Sequence, residues 1–120
     1  MTLPVLESDA HDLLALLATI YLENDRPEKA AVLLSALDTL KQADPRDLAQ
    51  LALAQLRSGK PATALDTLDR LALEGRTDAV FHLLRAHTLL ALQRDDEAFA
   101  AMRAYVAQRP GAAGPAPSAA

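Results

Sequence analysis

Residues 27–40, PEKAAVLLSALDTL, and residues 61–74, PATALDTLDRLALE, both open with proline and begin 34 positions apart. Alanine and leucine then recur in the same columns of the two stretches. Five columns keep this period along the chain: Ala18, Ala52 and Ala86; Ala30, Ala64 and Ala98; Leu22, Leu56 and Leu90; Leu34, Leu68 and Met102; Leu37, Leu71 and Tyr105. A fixed period of this length predicts a helical repeat protein, in which each repeat packs only against its neighbours. Since such arrays mostly present a surface to another protein, the period favours binding over chemistry.

The composition supports a single all-α domain. The chain has 120 residues, of which 51% are hydrophobic, yet aromatic residues make up only 3% and tryptophan is absent. A core of this kind has to be built from leucine and alanine, which are strong helix formers. Residues that favour strands are scarce, and no stretch alternates with a period of two. We therefore predict an all-α fold.

The charge and the cysteine content exclude several classes of function. The formal net charge is −4 and there is no cysteine. Binding to nucleic acid or to an anionic membrane surface needs a positive field, so neither is expected. The N-terminal residues lack the pattern of a secretion signal, and the longest apolar-rich run, 13–22, is too short to span a bilayer. We expect a cytoplasmic protein.

Helix breakers in the sequence predict six helices. The first is expected from Asp9 to Glu23, and Pro27 suits the first turn of the second. The second helix is expected to be lengthened and to run to Ala43, because Asp44-Pro45 is the next breaker. The later breakers and caps follow in the order Pro45, Gly59, Pro61, Gly75, Thr77 (the expected N-cap of the fifth helix) and Pro110.

This division predicts one repeat domain with short segments on either side. The domain covers residues 9–110, and residues 1–8 are expected to be flexible. Residues 111–120 are small, uncharged and rich in proline and glycine, which predicts a disordered tail. The repeats are placed at about 11–44, 45–76 and 77–110.

The columns resemble those of the tetratricopeptide repeat (TPR), a helical repeat with the same period. That family has a small residue at repeat position 8 and alanine at position 20, where Ala18 and Ala30 fall in the first repeat. Tyr21 falls on the family's aromatic position. The third repeat departs from the pattern, with His82 and Arg85 where large apolar residues are expected. The resemblance implies three helix-turn-helix repeats that form a short right-handed superhelix with a concave groove.

The resemblance also implies where a partner binds. In TPR proteins the first helices of successive repeats line the concave face through repeat positions 2, 5, 9 and 12. Most of these positions are apolar in this sequence, which is typical of a groove for an apolar helix or extended segment of another protein. The expected groove residues are Ala15, Thr19, Leu22, Ala49, Leu53, Leu56, Val80, Leu83, His87 and Leu90. The alternative is that some of these leucines pack against a neighbouring repeat.

A second surface is predicted at the C-terminal end of the array. A terminal repeat normally needs a polar cap, because it cannot bury its own outer face. The last helix still carries Phe99, Met102, Tyr105 and Val106. We expect this open C-terminal face to be covered by a partner or by a second copy, so that the chain self-associates when it is alone.

No catalytic, cofactor or metal site is expected. His82 and His87 are five positions apart, which does not suit two metal ligands on one helix face, and His11 is far from both in sequence. The chain has no glycine-rich phosphate loop and no serine in the setting of a nucleophile. We expect that the protein is not an enzyme and needs no cofactor.

A narrower resemblance rests on LLALL at residues 13–17 together with the stretch at residues 27–40. These runs are similar to the small TPR chaperones of bacterial type III secretion, and most of all to the Y-type chaperone that escorts the X-type export protein. The resemblance implies a cytoplasmic chaperone that keeps a small secreted subunit soluble and export-competent, in a heterodimer. A generic TPR scaffold, a needle-subunit chaperone and a self-associating TPR module remain open as alternatives.

Overall fold

The computed structural model describes residues 4–109, with side chains from Ala10 onward, and places them in six α-helices. In chain order these are α1 (Pro4–Glu23), α2 (Pro27–Thr39), α3 (Pro45–Arg57), α4 (Pro61–Leu73), α5 (Ala79–Ala91) and α6 (Asp95–Gln108). No strand occurs within this span, so the predicted all-α class is confirmed. None of its helices combines the length and the apolar character needed to cross a membrane. The predicted tail at residues 111–120 lies outside the described residues.

The helix boundaries repeat with the period of the sequence. The even-numbered helices begin one period apart, at Pro27, Pro61 and Asp95. The odd-numbered helices end one period apart, at Glu23, Arg57 and Ala91. The structure is therefore a helical repeat of three helix pairs, α1/α2, α3/α4 and α5/α6.

Each of the first five helices ends in the same hydrogen-bonded turn. After α2, for example, the N–H of Lys41 donates to the carbonyl of Asp38 and the N–H of Gln42 donates to the carbonyl of Leu37, at 2.9 Å each. This pair of bonds is the Schellman motif, which needs one residue with a positive φ just after the helix. That residue is Asp25, Lys41, Gly59, Gly75 or Gln93 in the five turns. Glycine fills the position only twice, so the sequence pointed to just two of these helix ends.

Three predicted helix boundaries differ from the structure. Helix α1 begins at Pro4 rather than Asp9, so residues 4–8, predicted to be flexible, form its first turns. Helix α2 ends at Thr39 rather than Ala43, because the turn at Lys41 closes it before the Asp44-Pro45 pair, and it is no longer than α3. The N-cap of α5 is Asp78 rather than Thr77, since the Asp78 carboxylate accepts the N–H of Phe81 at 3.0 Å.

The odd-numbered helices form one layer and the even-numbered helices spread apart. Helix α3 packs against both α1 and α5, whereas no Cα atom of α4 comes within 8 Å of α2 or α6. The gap between α2 and α4 is bridged by a long side chain, as both guanidinium nitrogens of Arg70 donate to the Asp38 carboxylate at 2.7 Å. A layer that is closer on one side than on the other bends the array, and the close side carries α1, α3 and α5.

The repeated alanines lie where the helices pack most closely. Each of the six alanines in the two small-residue columns is at most 1% exposed: Ala18, Ala30, Ala52, Ala64, Ala86 and Ala98. Large buried residues such as Leu37 and Leu68 flank them within the core. Small residues at these positions let the helix backbones approach, and the leucines fill the space beside them.

Candidate protein-binding site

Helices α3 and α5 enclose an apolar pocket that contains three of the predicted groove residues. Ala49 and Leu53 of α3 face Val80 of α5 across a cavity of about 530 Å³. Phe81 and Leu84 complete it and belong to the hydrophobic core, so they form the floor while the exposed Val80 stands at the rim. The other lining residues are Pro45, Arg46, Gln50, Leu71, Arg76 and Asp78.

Two arginines give this α3–α5 pocket a positive rim. Arg46 begins α3, Arg76 lies in the turn before α5, and both are exposed. Neither forms a salt bridge within the part of the chain whose side chains are described. Asp78, the acidic residue at the same rim, is already engaged as the N-cap of α5. The rim can therefore hold a carboxylate of a ligand.

A second, polar pocket lies beside the first, between α1 and α3. It measures about 290 Å³, and Ala15 and Thr19 of the predicted groove line it. Arg46 and Gln50 line both pockets, so the two cavities are neighbours on either side of α3. The remaining residues of the α1–α3 pocket are His11, Asp12, Leu16, Asp44 and Asp47.

A buried aspartate ties α1 to α3 in the polar pocket. Asp47 is only 4% exposed, and its Oδ2 accepts the backbone N–H of Asp44 at 3.0 Å. In return, Oδ1 of Asp44 accepts the N–H of Asp47 at 2.9 Å, which completes a capping box at the start of α3. His11 Nε2 of α1 donates to Asp47 Oδ2 at 2.7 Å. One carboxylate thus both begins a helix and joins two repeats.

The same arrangement raises the pKa of His11 above its ordinary value of 6.5. The hydrogen bond to Asp47 is the main cause, and a second one from Nδ1 to Asp12 Oδ1 at 3.2 Å adds to it, while partial burial opposes both. Only the protonated ring can donate from both nitrogens, so the two carboxylates favour the imidazolium.

The free energy of unfolding is expected to fall as the pH rises through the pKa of His11. Because this pKa is higher in the folded chain than in the unfolded one, the contribution is complete below about 6.5 and is lost above it. The variant His11→Gln should lack the contribution. The difference in melting temperature between the wild-type chain and His11→Gln should therefore shrink as the pH rises from about 6 to about 9. Two parallel profiles would contradict this role for His11.

The polar cluster also has the composition of a metal site. His11, Asp44 and Asp47 each bring one possible ligand atom to within 4.8 Å of the others. These atoms already bond to one another and to the first turn of α3. A cation would have to break the capping box to bind them all, so we assign the cluster a structural role.

Five of the predicted groove residues lie outside both pockets. Leu22 is only 8% exposed and belongs to the core, so it cannot face a partner: the last turn of α1 is covered by the rest of the first two repeats. His87 and Leu90 are exposed on the second half of α5, away from the α3–α5 pocket, and Leu56 and Leu83 are half-buried. The groove contracts to the first halves of α3 and α5.

The predicted open C-terminal face is exposed along α6. Phe99, Met102 and Val106 all present accessible apolar surface, and Tyr105 is half-buried. The structure therefore places all four residues on one helix, with three of them accessible to a partner.

Sequence reasoning missed the contact between His11 and Asp47. The two residues are 36 positions apart, close to one period, and equivalent positions of α1 and α3 lie side by side. Pairs near one period apart on successive odd-numbered helices are therefore the signal that could have found it. Phe81 and Leu84 were missed because they are core residues that also form the floor of the pocket.

Comparisons of the chain with protein-family models, with curated proteins and with solved structures gave no match. What the protein does therefore has to be inferred from its own residues and their geometry.

Proposed function

We propose that the protein is a TPR protein that binds a segment of another protein in the α3–α5 pocket. The periodic helix boundaries, the buried alanine columns and the close layer of odd-numbered helices support three TPRs in a right-handed superhelix. In such a superhelix the odd-numbered helices line the concave face, where both pockets would lie.

The observation that carries the proposal is the apolar pocket itself. Ala49, Leu53 and Val80 offer accessible apolar surface over a floor of core residues, in a cavity large enough for several side chains. Exposed apolar concavities rimmed by polar groups are typical of protein-binding sites. The ligand that fits is an amphipathic helix or extended segment that inserts apolar side chains.

The charges at the rim add a preference to this ligand. Arg46 and Arg76 lie at the apolar pocket, while His11, Asp12 and Asp44 lie at the neighbouring polar one. A ligand with a carboxylate next to its apolar anchors would pair with the two arginines. Such charge pairing would fix the position of the ligand more than it would raise the affinity.

The resemblance of residues 13–17 and 27–40 narrows the proposal to a cytoplasmic type III secretion chaperone of the Y type. In this role the α3–α5 pocket would hold a segment of the X-type export protein and keep it soluble until export. A needle subunit or the ligand of a general TPR scaffold would use the same pocket, so the pocket is tested separately from the identity of the ligand.

The test compares two valine-to-aspartate variants, Val80→Asp at the pocket rim and Val32→Asp on α2. Both valines are exposed, and Val32 lines neither pocket. An aspartate at position 80 faces the positive end of the α5 dipole, so it should not weaken the helix. We expect Val80→Asp to bind the X-type export protein of the same genome at least about tenfold more weakly than wild type does. Val32→Asp should bind as wild type does, in co-expression and in titration.

Two results would contradict different parts of the proposal. If the wild-type chain leaves the X-type protein unbound, the secretion role is wrong. Amphipathic peptides selected from a displayed library against the wild-type chain then test the pocket alone. If Val80→Asp retains the affinity of wild type for the bound protein or peptide, the α3–α5 pocket is not the binding site.

A further inference from the structure

Both ends of the helix array carry an exposed apolar stripe. On α1 the stripe consists of Leu13, Leu16 and Ile20, and on α6 it consists of Phe99, Met102 and Val106. Each stripe follows a spacing of three and then four residues, which places its members on one side of a helix. None of the six residues is charged. Two such stripes on a chain of this size need an explanation, since a large exposed apolar patch is rarely without a function.

The α6 stripe is the surface that a following helix pair would cover. Leu34, Leu68 and Met102 occupy the same position in successive repeats, yet they are 1%, 0% and 38% exposed. Helices α2 and α4 are each followed by another pair, which packs against them, and no helix pair follows α6 within residues 4–109. Because the rest of the environment repeats, the difference in exposure marks what the missing neighbour would bury.

The α1 stripe is the matching surface that a preceding pair would cover. Leu13 is 57% exposed, while its equivalents Asp47 and Phe81 are 4% and 5% exposed. Ile20 is 41% exposed, while Ala54 and Thr88 at the same position are 0% and 1% exposed. Helix α1 has its partner α2 and the following pair, as α3 does, and it lacks only a pair before it within the described residues.

We propose that a second copy of this chain covers these stripes, with α6 of one copy packed against α1 of the next. The contact would continue the junctions that the chain already makes twice, where α2 packs on α3 and α4 packs on α5. The two surfaces have equivalent positions in those junctions, so each provides what the other lacks. Because the two sides of the contact differ, copies would add head to tail rather than close into a symmetric dimer. The α3–α5 pocket is not part of this contact.

The test uses one variant at each end, Leu13→Glu on α1 and Met102→Glu on α6. Both side chains are exposed, so neither change should prevent folding, and circular dichroism verifies this. A charge buried in the contact should raise the dissociation constant for self-association by about tenfold or more. In sedimentation velocity the mass of the wild-type chain should rise with concentration beyond that of a dimer, and each variant alone should stay monomeric.

Mixing the two variants gives the decisive result. The Leu13→Glu chain keeps an intact α6 and the Met102→Glu chain keeps an intact α1, so one productive contact remains between them. The mixture should form a one-to-one heterodimer and nothing larger. As a control, Val32→Glu should self-associate as wild type does, because the equivalent position in the second repeat already holds an acid, Asp66.

Several outcomes would overturn the inference. A wild-type chain that stays monomeric up to its solubility limit has no such contact. If Leu13→Glu associates as strongly as wild type while Met102→Glu does not, α6 pairs with α6 in a symmetric dimer. A mixture that remains monomeric shows that the two stripes do not bind each other. If Met102→Glu fails to fold, Phe99→Glu replaces it on the same stripe, and the same outcomes apply.

Discussion

Replacing Leu68 by alanine is expected to lower the free energy of unfolding by about 2–5 kcal/mol. Leu68 is fully buried in the cluster that also contains Phe81 and Leu84 of the following repeat, so truncation leaves a cavity at a junction between repeats. The matched change is Met102→Ala, at the same repeat position in the last pair. Its side chain is partly exposed, and it should cost less than about 1 kcal/mol.

This pair is measured by urea unfolding followed by circular dichroism, at concentrations low enough to keep the chain monomeric. The free energies test whether the position is stabilised by the helix pair that follows it. Equal losses for Leu68→Ala and Met102→Ala would mean that residues outside the described part of the chain bury Met102. A loss below about 1 kcal/mol at Leu68 would contradict the packing of α4 against α5.

Replacing Asp47 by alanine is expected to cost about 2–4 kcal/mol. The change removes the acceptor of the Asp44 N–H in the capping box and the acceptor of the His11 ring, at a site that is almost fully buried. The control is Asp12→Ala, which removes the other carboxylate that bonds to His11. Asp12 is exposed, so its loss should cost about 0.5 kcal/mol or less.

A double-mutant cycle separates the two roles of Asp47. If the bond between repeats contributes, Asp47→Ala should cost less in a His11→Gln background than in wild type, because the bond is already absent there. Identical costs in the two backgrounds would assign the whole effect to the capping box. A cost for Asp47→Ala as small as that for Asp12→Ala would contradict both hydrogen bonds.

Much of the fold could be predicted because its signals are local. Pro27, Pro45 and Pro61 each begin a helix as expected, and the alanine columns gave the positions of close packing. The ends of the helices were harder, because Lys41 and Gln93 adopt the left-handed conformation that glycine normally provides. Nothing in their residue type indicates this conformation, which the hydrogen bonds of the completed turn hold in place.

The site could be predicted only in part, because it depends on how neighbouring repeats meet. Ala49, Leu53 and Val80 follow from repeat position alone, and the structure brings them together. Leu22 occupies an equivalent position and is buried, since burial at the end of a helix depends on what packs over it. Arg76 was missed because it lies in a turn, for which repeat position gives no direction.

The α1 stripe shows the same limit at the level of the array. Sequence reasoning identified the exposed face of α6 but not the one formed by Leu13, Leu16 and Ile20. Leucines in a leucine-rich helix look alike until the exposure of each is compared with that of its equivalents in later repeats. The comparison needs a structure, because Asp47 and Phe81 at the equivalent positions share no residue type with Leu13.

Titration calorimetry with the Val80 and Val32 variants tests the central claim, binding in the α3–α5 pocket, most directly. The ligand is the X-type export protein or, if that does not bind, a peptide selected against the wild-type chain. Val80→Asp should raise the dissociation constant by at least about tenfold, and Val32→Asp should leave it unchanged. Equal affinities for all three chains, or equal losses in the two variants, would contradict binding in this pocket.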